Sequence, residues 1–144
     1  MPEISASLKM FMNLNIVQTL MVKKFDSRLS IQGISMTDFL ILYQLGEAPD
    51  EKLRRTDLAD KIGLTASGIT RVLAPLEKIG LVRREANSRD ARVSYVKLSV
   101  AGRRVLTEAC IIAEEIAGEL LTNVNNKRLS ELTKALAELG GTIG

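Results

Sequence analysis

The amino-acid sequence predicts a mainly α-helical fold with one small β-hairpin. Three observations predict it. Apolar residues recur at helical spacing over most of the chain, in segments divided by glycine-containing breaks. Strand-like alternation is confined to two short runs, residues 82–85 and 92–98, separated by the turn-rich "ANSRDA". Aromatic residues make up only 3% of the 144 residues while hydrophobic residues make up 46%, so a core of ordinary domain size must be packed from aliphatic side chains.

The first helix is expected over residues 5–29, where Leu8, Phe11, Met12, Ile16, Leu20 and Phe25 fall at roughly helical spacing. Residues 30–35, with Gly33, break it. A second helix is expected to start at a Thr37 cap, with Met36 and Ile41 as a hydrophobic staple and Asp38 in the first turn. It ends near Gly46, before "EAPDEK", which reads as a turn. A short third helix covers residues 56–62 and is stopped by Gly63. The fourth has the clearest start: Thr65 is a good N-cap, and Leu64 and Ile69 occupy the staple positions on either side. It runs to Lys78, with Gly80 as the expected C-cap and Pro75 expected to bend the helix or loosen its second half. After the hairpin a helical pattern resumes over 101–124. Beyond "NVNNK", Leu129, Leu132, Leu136 and Leu139 are spaced 3, 4, 3, a short heptad-like seam.

Several function classes fall away. The sequence contains no histidine, which excludes a histidine-based catalytic triad, a histidine-ligated metal and a histidine pH switch. No cofactor is expected, and the carboxylates scatter over helix faces with no nucleophile–base pair, so an enzyme is not expected. The single cysteine, Cys110, permits no internal disulfide and fits a cytoplasmic location. Its setting between Ala109 and Ile111 predicts a buried, inert thiol. The uncharged stretch at residues 10–22 is too short to span a bilayer and carries Asn13, Asn15, Gln18 and Thr19, so no membrane association is expected.

Charge is informative by region. Residues 51–104 hold 13 Lys/Arg against 6 Asp/Glu, while both flanks are mildly acidic. A basic middle points to a polyanionic partner. Within it lies the sharpest constellation. Leu58, Ala59, Ile62, Gly63, Leu64, Ile69 and Val72 have the spacing of a helix-turn-helix: a small residue where the helices approach, a glycine for a left-handed turn, and apolar positions that fix the interhelical angle. Ala66, Ser67, Gly68, Thr70 and Arg71 are left on the outer face of the second helix, a small polar surface with one arginine, as entry into a major groove requires. The hairpin tip then presents Arg89, Asp90 and Arg92. A tip of this kind can place arginine in a minor groove, with Asp90 bracing an arginine or the turn.

The stretch "LTASGITRVLAPLEKIGLVRREANSRDARVSYVKLSVAGRRVL" resembles the winged helix-turn-helix core of the MarR family of transcriptional regulators. Its matching features are Leu64, Thr65, Ser67, Thr70 and Arg71, then "LEKIGLVRR", then Asp90, Arg92, Val96, Leu98 and Ser99. The resemblance implies a winged helix-turn-helix with long terminal dimerisation helices: residues 1–34 and 101–144 for dimerisation, residues 35–100 for DNA. It implies a homodimer on a pseudo-palindromic operator in double-stranded DNA, a repressor role, and a small aromatic or anionic effector bound between the dimer helices and the DNA-binding lobe. The recognition helix would supply Thr65, Ser67, Gly68, Thr70 and Arg71, and the wing Arg89, Asp90 and Arg92. Two positions depart from the family pattern. Gly68 stands where a hydroxyl or larger residue is often found, and Ala91 where a second wing arginine is common. The competing reading is a winged helix used for protein–protein contact without sequence-specific DNA binding.

Overall fold

The computed structural model describes all 144 residues. Six α-helices and three strands follow in the order α1 (Ala6–Leu29), α2 (Met36–Glu47), β1 (Lys52–Arg54), α3 (Arg55–Ile62), α4 (Ala66–Lys78), β2 (Val82–Ala86), β3 (Ser94–Leu98), α5 (Val100–Leu120) and α6 (Asn126–Glu138). The fold is therefore mainly helical with a small antiparallel sheet.

Local chemistry explains most boundaries. The Ser5 side chain caps α1 by accepting from the Leu8 amide. The cap of α2 is Ser35 rather than Thr37, two residues before the sequence expectation. The Ser35 hydroxyl accepts from the Asp38 amide while the Asp38 carboxylate accepts from the Ser35 amide, a reciprocal pair that outcompetes a lone threonine. Gly63 ends α3 with φ +72°, the left-handed backbone that a turn between two helices needs. α4 runs through Pro75 to Lys78. Its cap residue is Ile79, and Gly80 follows at φ +78°. α5 starts at Val100 behind a Ser99 cap and ends at Leu120, short of residue 124.

The sheet has the order β1–β3–β2, so β3 is central. Strand β1 lies at the end of the segment read from sequence as a turn. It pairs Leu53 with Val96 and Arg54 with Tyr95. β3 begins at Ser94, not Arg92. The Asp90 carbonyl accepts from the Val93 amide and holds residues 90–93 in a turn.

The core lies in the middle of the chain. Ile41, Leu42 and Leu45 of α2 meet Leu58 of α3, Ile69, Leu73 and Leu76 of α4, and Val82, Val96 and Leu98 of the sheet. Ala59, 3% exposed, lets α4 approach α3 closely. The start of α5 is pinned to the turn between α4 and β2. The Ser99 hydroxyl donates to the Gly80 and Leu81 carbonyls, and a Cβ on Gly102 would fall 2.0 Å from the Leu81 oxygen. Arg28 of α1 reaches Glu115 and Glu119 of α5 at 3.3 and 3.1 Å, tying the two long helices together.

Large apolar side chains of α1 and α6 are left exposed in the single chain: Leu8, Phe11, Ile16 and Leu20 on the one, Leu132 and Leu136 on the other, with Leu139 just beyond it. Beyond α6 the chain returns to the central lobe. The Thr142 hydroxyl donates to the Lys61 carbonyl at 2.7 Å and accepts from the Gln44 amide at 3.4 Å. Cys110 is half-buried rather than fully buried, and desolvation, aided by Glu114 and Glu47, pushes its thiol pKa above the ordinary value. No helix is long and apolar enough to cross a membrane.

Candidate nucleic-acid interface

Helix α4 is capped by Thr65, whose Oγ1 accepts from the Gly68 amide at 3.1 Å. Gly68 suits this start: a Cβ there would lie 3.1 Å from the same hydroxyl and 3.6 Å from the Leu64 Cβ. The departure from the family pattern thus leaves room around the cap. Ser67 is exposed beside it, its Oγ 3.3 Å from the Thr65 Oγ1. Thr70 is more constrained. Its hydroxyl donates to the Ala66 carbonyl and accepts from the Arg55 guanidinium at 3.2 Å. Arg71 lies four residues from Ser67 on the same face and is exposed. None of the ion pairs within the chain engages Arg71. Pro75 has no N–H to offer the Arg71 carbonyl, so the backbone behind this arginine lacks one helical bond.

The hairpin tip is built on side-chain bonds to its own backbone. The Asn87 carboxamide oxygen accepts from the amides of Arg89 and Asp90, and its NH2 reaches the Tyr95 hydroxyl. Asp90 accepts from the Arg92 amide at 3.0 Å and from the Arg92 Nε at 3.2 Å. The aspartate therefore does brace an arginine, and the arginine is Arg92. Its side chain is still 91% exposed, so the brace aims the guanidinium without covering it. Arg92 itself holds the Asp90 carboxyl below its ordinary value of 3.8, through its side chain first and its backbone amide second, with the charge of Arg54 adding to the effect. A carboxyl lowered in this way stabilises the tip at pH above that ordinary value and loses its effect as the pH falls further. Arg89 is exposed and makes no ion pair in the chain.

Two arginines escaped the sequence reading. Strand β1 brings Arg54 opposite Tyr95, and with Arg55 and Thr56 it lines a groove whose other wall is Arg92, Val93 and Ser94. Arg55 is anchored at 3.2 Å to Glu77 of α4, whereas Arg54 is exposed. Their signal in the sequence was the regional excess of positive charge, which does not say which residues meet. The arrangement is a helix end with small polar side chains and an arginine outside any ion pair, a hairpin tip with two arginines, and a basic groove that runs from β1 and the start of α3 to the hairpin. It can hold phosphates along one strand of a duplex while side chains reach base edges.

The strands just below the hairpin tip are held by a different set of charges. Lys52 donates to Glu85 at 2.8 Å across β3 and lies 5.1 Å from the Tyr95 ring centre. The contact lowers the Glu85 pKa and raises that of Lys52. These groups fix the strands and leave the tip free to project.

Residues 34–94, the segment from just before α2 to the first residue of β3, match the model of the MarR family. Over its whole length the chain is similar to the transcriptional regulator BldR from Sulfolobus solfataricus, at 31% identity, 99% of this chain and 100% of that chain covered, and a TM-score of 0.86. A MarR family transcriptional regulator from Streptomyces coelicolor, solved in complex with DNA, is 26% identical with 96% and 91% covered and a TM-score of 0.79. CouR from Rhodococcus jostii, bound to p-coumaroyl-CoA, shares the fold at 19% identity, 96% of each chain and a TM-score of 0.83. With the helix-turn-helix, the hairpin and the long flanking helices all in place along one chain, this protein belongs to the MarR family of winged-helix DNA-binding transcriptional regulators.

Proposed function

We propose that the protein is a repressor that binds a pseudo-palindromic operator in double-stranded DNA as a homodimer and is released by a small-molecule effector. In this reading α4 enters the major groove, with Ser67 and Arg71 at base edges. Thr65 and Thr70 hold the helix start in place, and Gly68 keeps the cap unhindered. The tip of the wing enters the adjacent minor groove with Arg92, steadied by Asp90, while Arg89 stays near the phosphates. The observation that carries the reading is an exposed Arg71 without an ion pair on the helix whose Thr70 contacts Arg55, together with a braced but exposed Arg92 that lines one groove with Arg54 and Arg55.

A single recognition helix makes a small interface, and two copies about 34 Å apart supply the affinity an operator needs. The apolar side chains of α1 and the leucine seam of α6 are the surfaces for the second copy. Fluorescence anisotropy on duplex DNA at several salt concentrations tests the reading. A log–log salt dependence with a steep negative slope supports it. Affinity that is low and insensitive to salt would instead mark the winged helix as a protein–protein contact module.

A further inference from the structure

Arg55 opens α3 and extends its side chain to α4. Its Nη2 donates to the Thr70 hydroxyl at 3.2 Å and its Nη1 to the Glu77 carboxylate, also at 3.2 Å. Thr70 and Glu77 stand seven residues apart, about two helical turns, and so share one face of α4. Side chains on a helix lean towards its N-terminus, so Glu77 reaches back along that face to the guanidinium. Only 17% of the Arg55 side chain is exposed, and Glu77 offsets its charge. Between the two contacts lies Pro75, which removes the backbone bond to the Arg71 carbonyl and crowds it. A helix that lacks such a bond bends at that point. The guanidinium is planar, and its two terminal nitrogens hold the turn before the break and the turn after it.

We infer that Arg55 is a positioning residue for DNA recognition: with Glu77 it splints α4 across Pro75 and so fixes the direction in which Ser67 and Arg71 point. The inference rests on the reading of α4 as the recognition helix. It gives two adjacent arginines different tasks. Arg54 is exposed and available to a phosphate, whereas Arg55 acts through α4. A hydrogen bond to a base edge depends on direction, while a phosphate contact carries no sequence information. Loss of the splint therefore lowers the preference between sequences more than it lowers affinity for DNA as such.

Glu77→Ala tests it, because a splinting and a phosphate-binding Arg55 respond to it differently. The change releases Arg55 and adds one net positive charge. A phosphate-binding Arg55 would then tighten binding to every duplex and leave sequence preference as it was. The splint predicts that preference falls about tenfold, as loss of one charge-assisted hydrogen bond allows, with no weakening on non-specific DNA. Anisotropy of the full-length protein reads this as a ratio, on a duplex enriched by in vitro selection and on a scrambled duplex of the same composition. Arg55→Lys keeps the charge but not the fork, and should lower the ratio as Glu77→Ala does. Pro75→Ala restores the backbone bond. Alone it should leave the ratio unchanged, and combined with Glu77→Ala it should recover most of what that variant lost. Melting temperatures control for folding. Amide hydrogen exchange over residues 70–78 of the DNA-free protein is the second readout: Glu77→Ala should speed it with Pro75 in place and not with Pro75→Ala. The inference is overturned if Glu77→Ala or Arg55→Lys keeps the wild-type ratio, or if Pro75→Ala recovers nothing. Unchanged exchange sinks the splint alone. Faster exchange that Pro75→Ala cancels, in a protein that enriches no duplex, supports the splint and sinks the recognition reading.

Discussion

Arg71 and Arg92 carry different information in this account. Arg71 projects from the recognition helix without an intramolecular partner. Arg71→Ala should cost about 1–3 kcal/mol of operator affinity if the guanidinium makes a bidentate guanine contact, and should relax preference at one position per half-site. Equal loss on every sequence would make it a phosphate anchor instead. Arg92 is aimed by Asp90, whereas Arg89 has only its backbone held, by Asn87. Arg92→Ala should therefore weaken binding strongly and Arg89→Ala mildly, and the Arg92 loss should be larger on operators with A·T-rich flanks. Anisotropy on two operators that differ only in their flanks reads this directly. That Asp90 braces an arginine or the turn was legible in sequence because its partners lie within a few residues, and the structure makes Arg92 that partner. The Arg54–Arg92 groove was not, because it exists only once a distant three-residue strand pairs with β3.

At the scale of elements, boundaries set by nearby side chains were readable and those set by distant pairing were not. Thr65, Gly63 and Gly80 punctuate α3 and α4 through local backbone chemistry, and the sequence marks them plainly. The sequence does not separate Ser35 from Thr37 as the cap of α2, because the return bond from Asp38 decides between the two hydroxyls. β1 has three residues, too few for any periodicity, and its hydrogen-bond partner lies more than forty positions away. The junction of wing and long helix depends on Gly102, where a methyl group would meet the Leu81 carbonyl rather than a flexible side chain. Gly102→Ala should destabilise the fold by about 1–3 kcal/mol or more, although alanine favours helices. Urea denaturation checks it, and an unchanged midpoint would show that α5 is not seated as described.

Across the whole molecule, the division of labour follows burial. The core cluster gathers around α2, α3, α4 and the sheet, while the outer faces of α1 and α6 leave large apolar side chains in water. Their amphipathic spacing was visible in sequence, but spacing alone does not distinguish a face that covers the chain's own core from one that awaits a second copy. With both faces bare in the single chain, the second copy is the occupant we propose. Leu132→Asp should place an unpaired charge in that contact and shift a micromolar dimer towards monomer in light scattering. A wild-type protein that is monomeric under the same conditions contradicts the assembly. Dimerisation in turn fixes what the DNA must look like, because two recognition helices related by a twofold axis read two half-sites of opposite sense. In vitro selection of bound duplexes from a random pool is the most direct measurement of this claim. The expected result is an inverted repeat with half-site centres about 10–10.5 base pairs apart. Enrichment of a single asymmetric site, or of no sequence at all, would contradict it.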